Sequence, residues 1–411
     1  MNLFELIALL LGLSAAFAYF NARLLHLPTT IGVMATALVF SLALVVAQSL
    51  GLPGLTEWAE QAVAAVDFDR TLLDAMLAML LFAGALHVPL DELGRQWRII
   101  GLLATVGVLV CTALIGTAIY MVQRLLDLEL SFIYCLLFGA VIAPTDPVAV
   151  LGIVQKLGLP GALQAKIAGE SLFNDGFAIV VFLGIAGIAS GEADGATDVA
   201  ILFIEEVFGG VALGFVLGAI GYWLLRSLDE YIVEILITLA LVTGGYALAL
   251  RLHFSGPLAM VVAGLLLGNH GRRFAMSETT RIHLDTFWEL VDKLLNIILF
   301  LLIGLEVLVI SFNRQSVMLG LLAIPLVLLA RFLAVGGVVH ALAPIRDFKR
   351  GVVRLLTWGG LRGGISVALA LSLPSSSERE VIVTMTYVIV VFSVLIQGLT
   401  VAPLIQWLRY K

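Results

Sequence analysis

The sequence GESLFNDGFAIVVF, residues 169–182, decides the fold of the whole chain. It lies inside a long apolar segment, yet it contains Glu170, Ser171, Asn174 and Asp175. Residues four apart share one face of a helix, so Glu170 aligns with Asn174 and Ser171 aligns with Asp175. Because a carboxylate in hydrocarbon is costly, two of them predict a protein-lined interior and a functional site. The alternative is that both acids only hold neighbouring helices together.

The composition predicts a membrane protein. Of the 411 residues, 61% are hydrophobic and only 13% are charged, which is about half the charged fraction of an average soluble domain. The net charge is −6 and there is no basic run, so a nucleic-acid partner is not indicated. Cys111 and Cys135 both fall in apolar segments, which predicts buried thiols rather than a disulfide or a metal site.

The apolar segments predict an all-α polytopic protein with about 13 transmembrane helices in one domain, residues 1–411. The segments lie at about 3–22, 28–50, 71–90, 97–123, 131–155, 161–190, 199–226, 231–250, 256–269, 286–310, 316–343, 351–373 and 381–408. The ninth segment is short and is bounded by glycine and proline. Residues 56–70 are of mixed polarity and predict a short amphipathic helix on the membrane surface.

Lysine and arginine residues give the orientation, because they concentrate in cytoplasmic loops. With the N-terminus outside, the cytoplasmic side holds fifteen of them: Arg23, Arg95, Arg98, Lys156, Lys166, Arg226, Arg272, Arg273, Arg281, Arg346, Lys349, Arg350, Arg354, Arg409 and Lys411. The outer side holds five: Arg70, Arg124, Arg251, Arg314 and Arg379. The chain is therefore predicted to lie in the cell membrane with its C-terminus in the cytoplasm.

Two of the predicted helices are interrupted. The fifth contains APTDP at residues 143–147, where each proline lacks an N–H and clashes with the preceding turn. The twelfth contains GGLRGG at residues 359–364, where four glycines surround Arg362. Non-helical backbone at membrane depth is tolerated only where it lines a cavity or meets a ligand. Close helix packing by small residues accounts for part of the glycine content, but not for a buried Asp between prolines or a buried Arg between glycines.

The positions of the two breaks predict an internal repeat. If the seventh segment is a connector, each break falls in the fifth helix of a six-helix unit, and the two units enter the membrane from opposite sides. Repeat one then covers about residues 1–190 and repeat two about residues 231–411. Inverted repeats whose broken helices cross near the bilayer midplane are typical of secondary transporters.

The polar residues at the breaks predict a site for one positive charge. Asp175 offers a carboxylate, Ser171 a hydroxyl, and the opened backbone near Thr145 offers carbonyl oxygens, which are the ligands that Na⁺ prefers. Asn174 cannot titrate, so Asp175 would carry either H⁺ or a monovalent metal ion. Competition for this one carboxylate is sufficient to couple two ion fluxes.

The other buried ions are predicted to be structural. Unpaired charges in the interior cost several kcal/mol, so Glu170 is assigned to Arg331, and Asp146 to Arg362. Lys293 is predicted to pair locally or to extend towards the membrane surface.

Three motifs together resemble the monovalent cation–proton antiporters, and especially the NhaP-like bacterial branch related to eukaryotic sodium–proton exchangers. They are TDP at 145–147, ESLFND at 170–175 and GLRG at 360–363. Arg331 also has the expected place in the order of segments, and the resemblance covers essentially the whole chain.

The resemblance implies that Asp175 is the shared carboxylate for cation and proton, with Ser171 and the backbone at Thr145 as ligands. It implies that Asn174 before Asp175 marks the electroneutral class. It further implies a homodimer and an elevator-like core, here residues 97–190 and 316–411. Many relatives carry an acid in the third helix at the position of Ala83, so the usual partner of Asn174 is absent here.

The main hypothesis is Na⁺/H⁺ antiport without enzymatic activity or a cofactor, with the transported ions and the lipid bilayer as partners. K⁺/H⁺ antiport is an alternative, because ligand type does not fix the size of the cation. An ion channel could use the same broken helices, although a single central carboxylate suits exchange better than multi-ion conduction. An intramembrane hydrolase using Ser171 lacks a histidine at the required depth.

Overall fold

The described part of the chain consists mostly of helices, as the sequence predicts. A computed structural model describes residues 2–50, 53–64, 66, 68, 71–191, 196–344, 348 and 351–408. The helices of its first half are α1 Leu3–Phe20, α2 Thr29–Ser49, α3 Pro53–Ala64, α4 Leu77–Leu86, α5 Leu90–Leu102, α6 Val108–Val122, α7 Phe132–Ile142, α8 Val148–Lys156 and α9 Gly161–Ser190. Those of its second half are α10 Ala196–Arg226, α11 Tyr231–Arg251, α12 Gly256–Leu266, α13 Arg272–Phe274, α14 Glu278–Leu305, α15 Arg314–Leu342, α16 Val352–Trp358, α17 Gly364–Leu371, α18 Ser377–Phe392 and α19 Gly398–Trp407.

Short non-α turns join or flank several of these helices. They are π-helical at Asn21–Leu25, Thr71–Met76, Leu103–Gly107, Leu267–Gly271 and Ser393–Gln397, and 3₁₀-helical at Gln123–Leu126 and Glu306–Leu308. Within the described residues, eight helical stretches are long and apolar enough to cross a membrane, and α4 and α7 are apolar but shorter. Every one of the thirteen predicted segments contains helix, but thirteen crossings stay a prediction.

The outer faces of the bundle are apolar. Phe208 and Trp223 on α10 are exposed, as are many aliphatic side chains on α1, α2 and α15. Such surfaces require lipid rather than water around them. The predicted amphipathic helix corresponds to α3, where Ala59 and Val63 are buried. Several residues used for the orientation lie outside the described residues: Arg70, Arg346, Lys349, Arg350, Arg409 and Lys411.

Close helix contacts account for part of the glycine content. The backbone of α10 lies against α12, where a Cβ at Gly214 would come within 2.6 Å of the Ala259 carbonyl oxygen. The small residue removes this clash and lets the two backbones approach. Ser255, just before α12, also holds α12 against α10, because its N–H donates to the Glu206 carbonyl at 3.0 Å.

The two predicted breaks are present, and they touch each other. One separates α7 from α8, and the other separates α16 from α17. Between them lies an antiparallel β-bridge, which is isolated within the described residues and pairs Asp146 with Leu361. The Asp146 N–H donates to the Leu361 carbonyl at 2.8 Å. The interrupted backbones therefore meet at one point of the bundle, beside the middle of α9.

Candidate ion-binding site

Thr145 connects the first break to α9 through three polar contacts. Its hydroxyl lies 3.1 Å from the Ser171 hydroxyl and accepts a hydrogen bond from Asn174 Nδ2 at 2.8 Å. Its N–H donates to Asn174 Oδ1 at 3.5 Å. All three residues are buried. Because Asn174 uses both ends of its amide on Thr145, it fixes the break against the helix although the acid expected at Ala83 is missing.

The Thr145 carbonyl oxygen is open to a ligand. The backbone is not helical here, and the Asp146 N–H donates to the Leu361 carbonyl. Across the described residues, no donor reaches Thr145 O. A free carbonyl in the interior is costly without a partner, and a cation is a suitable one.

Asp175 is the carboxylate that remains uncompensated. It lies four residues after Ser171 on α9 and is only 6% exposed. In the part of the chain that the structure describes, neither a hydrogen bond nor an ion pair reaches its side chain. A buried anion without a partner is unfavourable unless it is protonated or binds a cation. Its carboxylate thus lies one helical turn from Ser171, whose hydroxyl is 3.1 Å from that of Thr145.

Glu170 differs from Asp175 because it is paired. Its carboxylate forms the expected ion pair with Arg331 of α15, and both side chains are nearly inaccessible, at 2% and 4% exposed. Arg331 also donates to the Leu356 carbonyl at 3.5 Å and lies against Gly360. The pair therefore ties α9 and α15 to the second break.

The predicted pair between Asp146 and Arg362 is wrong. Arg362 Nη1 donates instead to the carbonyls of Ala143 at 2.6 Å and Pro144 at 2.8 Å. The Asp146 carboxylate accepts from the Val148 N–H at 2.9 Å. The Arg362 guanidinium thus binds the carbonyls at the end of α7, and the Asp146 carboxylate binds the N–H at the start of α8.

The prolines explain this arrangement. In an uninterrupted helix the Ala143 carbonyl would accept from the N–H of residue 147, but Pro147 has none. The Pro144 carbonyl would accept from Val148, whose N–H is taken by Asp146. Both carbonyls are left without helical partners, and a guanidinium satisfies them while offsetting the partial negative charge of the end of α7. Asp146 in turn lies at the positive N-terminus of α8.

Ser393 and Gln397 support the second break and were missed in the sequence. The Arg362 N–H donates to Ser393 Oγ at 2.9 Å, and Gln397 Nε2 donates to the Trp358 carbonyl at 3.1 Å. Both are buried in a π-helical turn between α18 and α19. The sequence signal that could have indicated them is their spacing, because Ser393 and Gln397 are two polar residues four apart in the last apolar segment.

Lys293 lies outside this site. It pairs with Glu289 at 2.5 Å on the same helix, and both side chains are more than half exposed. The local pair expected from the sequence is therefore present.

The fold and this site together define a secondary transporter: a membrane bundle in which two interrupted helices meet beside one uncompensated carboxylate. A sequence model for the family described as "Sodium/hydrogen exchanger, transmembrane" matches residues 12–407. The chain belongs to this family.

Individual relatives agree with that membership. The chain is 50% identical over 407 residues to the Na(+)/H(+) antiporter NhaP of Pseudomonas aeruginosa, covering 98% of this chain and 96% of that protein. It is 35% identical to the Na(+)/H(+) antiporter NhaH of Halobacillus dabanensis, covering 98% of each. The structure of the sodium proton antiporter MjNhaP1 from Methanocaldococcus jannaschii superposes with a TM-score of 0.77 over 99% of both chains. At 20% identity, this last likeness concerns the fold.

Proposed function

We propose that this protein is an electroneutral antiporter that exchanges Na⁺ for H⁺, with Asp175 binding one of the two ions at a time. The observation that carries the proposal is the isolation of the Asp175 carboxylate beside Ser171 and the free Thr145 carbonyl. The relatives described as Na⁺/H⁺ antiporters over nearly the whole chain support the choice of ions.

The charges around the breaks support a one-for-one exchange. Glu170 is neutralised by Arg331, and Arg362 carries one positive charge at the same break where Asp146 carries one negative charge. Asp175 is then the one charge left over. Either a proton or a monovalent cation makes the site neutral, so its loaded forms carry the same net charge.

Competition at Asp175 provides the coupling. Na⁺ would take oxygens from the Asp175 carboxylate, the Ser171 hydroxyl and the Thr145 carbonyl. A proton on Asp175 removes the negative charge that the metal ion needs, and a bound metal ion disfavours protonation. The ions therefore cross in alternate half-cycles. No enzymatic step and no cofactor are required.

The remaining architecture is proposed on the same basis. Thirteen crossings, with the N-terminus outside and two inverted repeats, account for the two broken helices in contact. One buried apolar cluster joins α6, α7, α9, α15 and α18, and another joins α4, α10, α11 and α12. The first of these clusters lies wholly within the proposed transport core, at about residues 97–190 and 316–411, which would move against the remaining helices as a scaffold. We further propose that the protein works in the cell membrane as a homodimer.

The test is ion exchange in proteoliposomes. An imposed Na⁺ gradient should move protons through the wild type and not through Asp175→Asn, which can hold neither ion as a carboxylate does. Asp229→Asn, a change of an exposed loop acid, is the matched control and should exchange normally. Both variants must elute from gel filtration as the wild type does.

Appreciable Na⁺-driven proton movement by Asp175→Asn would refute the assignment of the site. Replacing Na⁺ with K⁺ in the same assay decides which cation is the substrate, with choline as the inert cation. A steady current that reverses with the membrane potential would contradict electroneutral exchange and would identify a channel or a different stoichiometry.

A further inference from the structure

A basic cavity lies at one end of the bundle, away from Asp175. It encloses about 310 Å³ between the end of α4, the turn after α12, α13 and the start of α14. Its lining residues are Leu86, His87, Val88, Pro89, Gly268, Asn269, Arg272, Arg273 and Arg281. This volume falls at the lower end of the range of small-molecule sites, about 300–1,000 Å³. The cavity is therefore larger than a single inorganic ion requires.

The cavity carries an excess of positive charge. Three arginines line it and no carboxylate does, as far as the described residues show. Arg272 forms an ion pair with Asp285, which is not among the lining residues. Arg273 lies over an aromatic ring, with its guanidinium carbon 5.1 Å from the ring centre of Phe274. Burial lowers the pKa of Arg272, and the positive charge of the neighbouring Arg281 lowers it further.

Arg281 has an unfilled hydrogen-bonding position. Its Nε is shielded from solvent and, among the described residues, has no hydrogen-bond partner. A buried guanidinium N–H without an acceptor is unfavourable, because it has lost its hydrogen bonds to water. An anionic oxygen in the cavity would supply that acceptor.

The walls of the cavity are already fixed. Asn269 Nδ2 donates to the carbonyls of Val88 at 3.0 Å and Leu265 at 2.9 Å. Asn269 Oδ1 accepts from the Leu90 N–H at 2.9 Å. The bonds to Val88 and Leu90 connect the turn after α12 with the junction between α4 and α5, and the bond to Leu265 holds Asn269 against the end of α12. A ligand would therefore meet a preformed site, which lowers the entropic cost of binding.

We propose that this cavity binds a phosphate-bearing anion, held by Arg273 and Arg281 with Arg272 behind them. Guanidinium groups match phosphate oxygens in geometry and in charge. The phosphate could belong to an anionic lipid headgroup or be free in solution, and the two sources share this chemistry.

The cavity borders Val88 and Pro89, where α4, a helix of the proposed scaffold, leads into α5. A bound phosphate would bridge this junction and α13–α14. Any effect of this bridge on transport rests on the proposed function, since α5 leads into the proposed moving core. Binding of the phosphate does not depend on the proposed function.

The experiment measures binding to the purified, delipidated full-length protein by its melting temperature and by native mass spectrometry. One arm adds phosphatidylglycerol in phosphatidylcholine nanodiscs, and the other adds inorganic phosphate; phosphatidylcholine alone is the reference. Wild type should gain stability and retain the anionic lipid or phosphate at least about tenfold better than Arg273→Gln/Arg281→Gln. Arg226→Gln, an exposed change at the end of α10, should match the wild type.

Stabilisation by phosphatidylglycerol alone identifies a lipid headgroup as the ligand. Stabilisation in both arms shows that the cavity recognises the phosphate group itself. If the double variant does not fold, Arg273→Gln, at an exposed position, replaces it and should lose at least about threefold. Equal binding by wild type and variant in both arms overturns the proposal. Loss of Na⁺/H⁺ exchange in every preparation would instead overturn the proposed function and leave the binding result unaffected.

Discussion

Breaking the ion pair between Glu170 and Arg331 should destabilise the protein strongly. Both side chains are buried, so Arg331→Ala leaves a carboxylate in the interior without its counter-ion, a change that costs about 3–5 kcal/mol. The entropy of unfolding is about 2 cal/mol/K per residue, or roughly 0.9 kcal/mol/K for a chain of 411 residues. The melting temperature should therefore fall by about 3–6 °C.

The assay is thermal unfolding of purified protein in detergent, followed by fluorescence and by loss of the monodisperse gel-filtration peak. Glu170→Gln added to Arg331→Ala removes the unpaired charge and should recover part of the loss, although the space left by the arginine persists. Lys293→Gln is the control, because its pair with Glu289 is exposed and should change stability by less than about 1 kcal/mol. A double variant no more stable than Arg331→Ala would refute the reasoning.

Three further predictions concern the breaks and the carboxylate. Arg362→Gln should lower the melting temperature and slow transport, because two buried carbonyls lose a charged donor at about 1–3 kcal/mol each; Ser393→Ala, which keeps the guanidinium, should do less in the same assays. Asn174→Asp adds a second titratable group, so Na⁺-driven exchange should become sensitive to a valinomycin-clamped potential, and an unchanged response would count against the charge balance. Lowering the pH should raise the apparent KM for Na⁺, because H⁺ and Na⁺ compete for Asp175; a KM that is constant across a pH series of initial rates would contradict competition.

The sequence predicted the breaks because prolines and clustered glycines have local consequences. Pro144 and Pro147 remove helical donors whatever surrounds them, and the apolar context of residues 169–182 marked its acids as exceptional. The contact between the two breaks also agrees with their symmetric positions in the chain. The breaks and the buried acids could be predicted because they depend on neighbouring residues and on the order of the apolar segments.

The pairing of Arg362 could not be obtained in the same way. The two break motifs contain one acid, Asp146, and one arginine, Arg362. Sequence reasoning therefore favours an ion pair between them. The structure shows that orphaned carbonyls compete for the guanidinium, and that the N–H of Val148 competes for the carboxylate. Ser393 was missed for a related reason, since a lone hydroxyl in an apolar helix usually bonds to its own backbone.

The bridge between the breaks has a thermodynamic consequence. Asp146 and Arg362 each bond across to the other break, so neither break can open without disturbing its partner. A site carried across the membrane as one piece keeps the same ligands at both faces, and its intrinsic dissociation constant for Na⁺ is then the same on either side. Under the proposed one-for-one exchange, the protein would favour no direction, and net movement would stop when the Na⁺ ratio equals the H⁺ ratio. Each pH unit across the membrane would then sustain about a tenfold Na⁺ ratio.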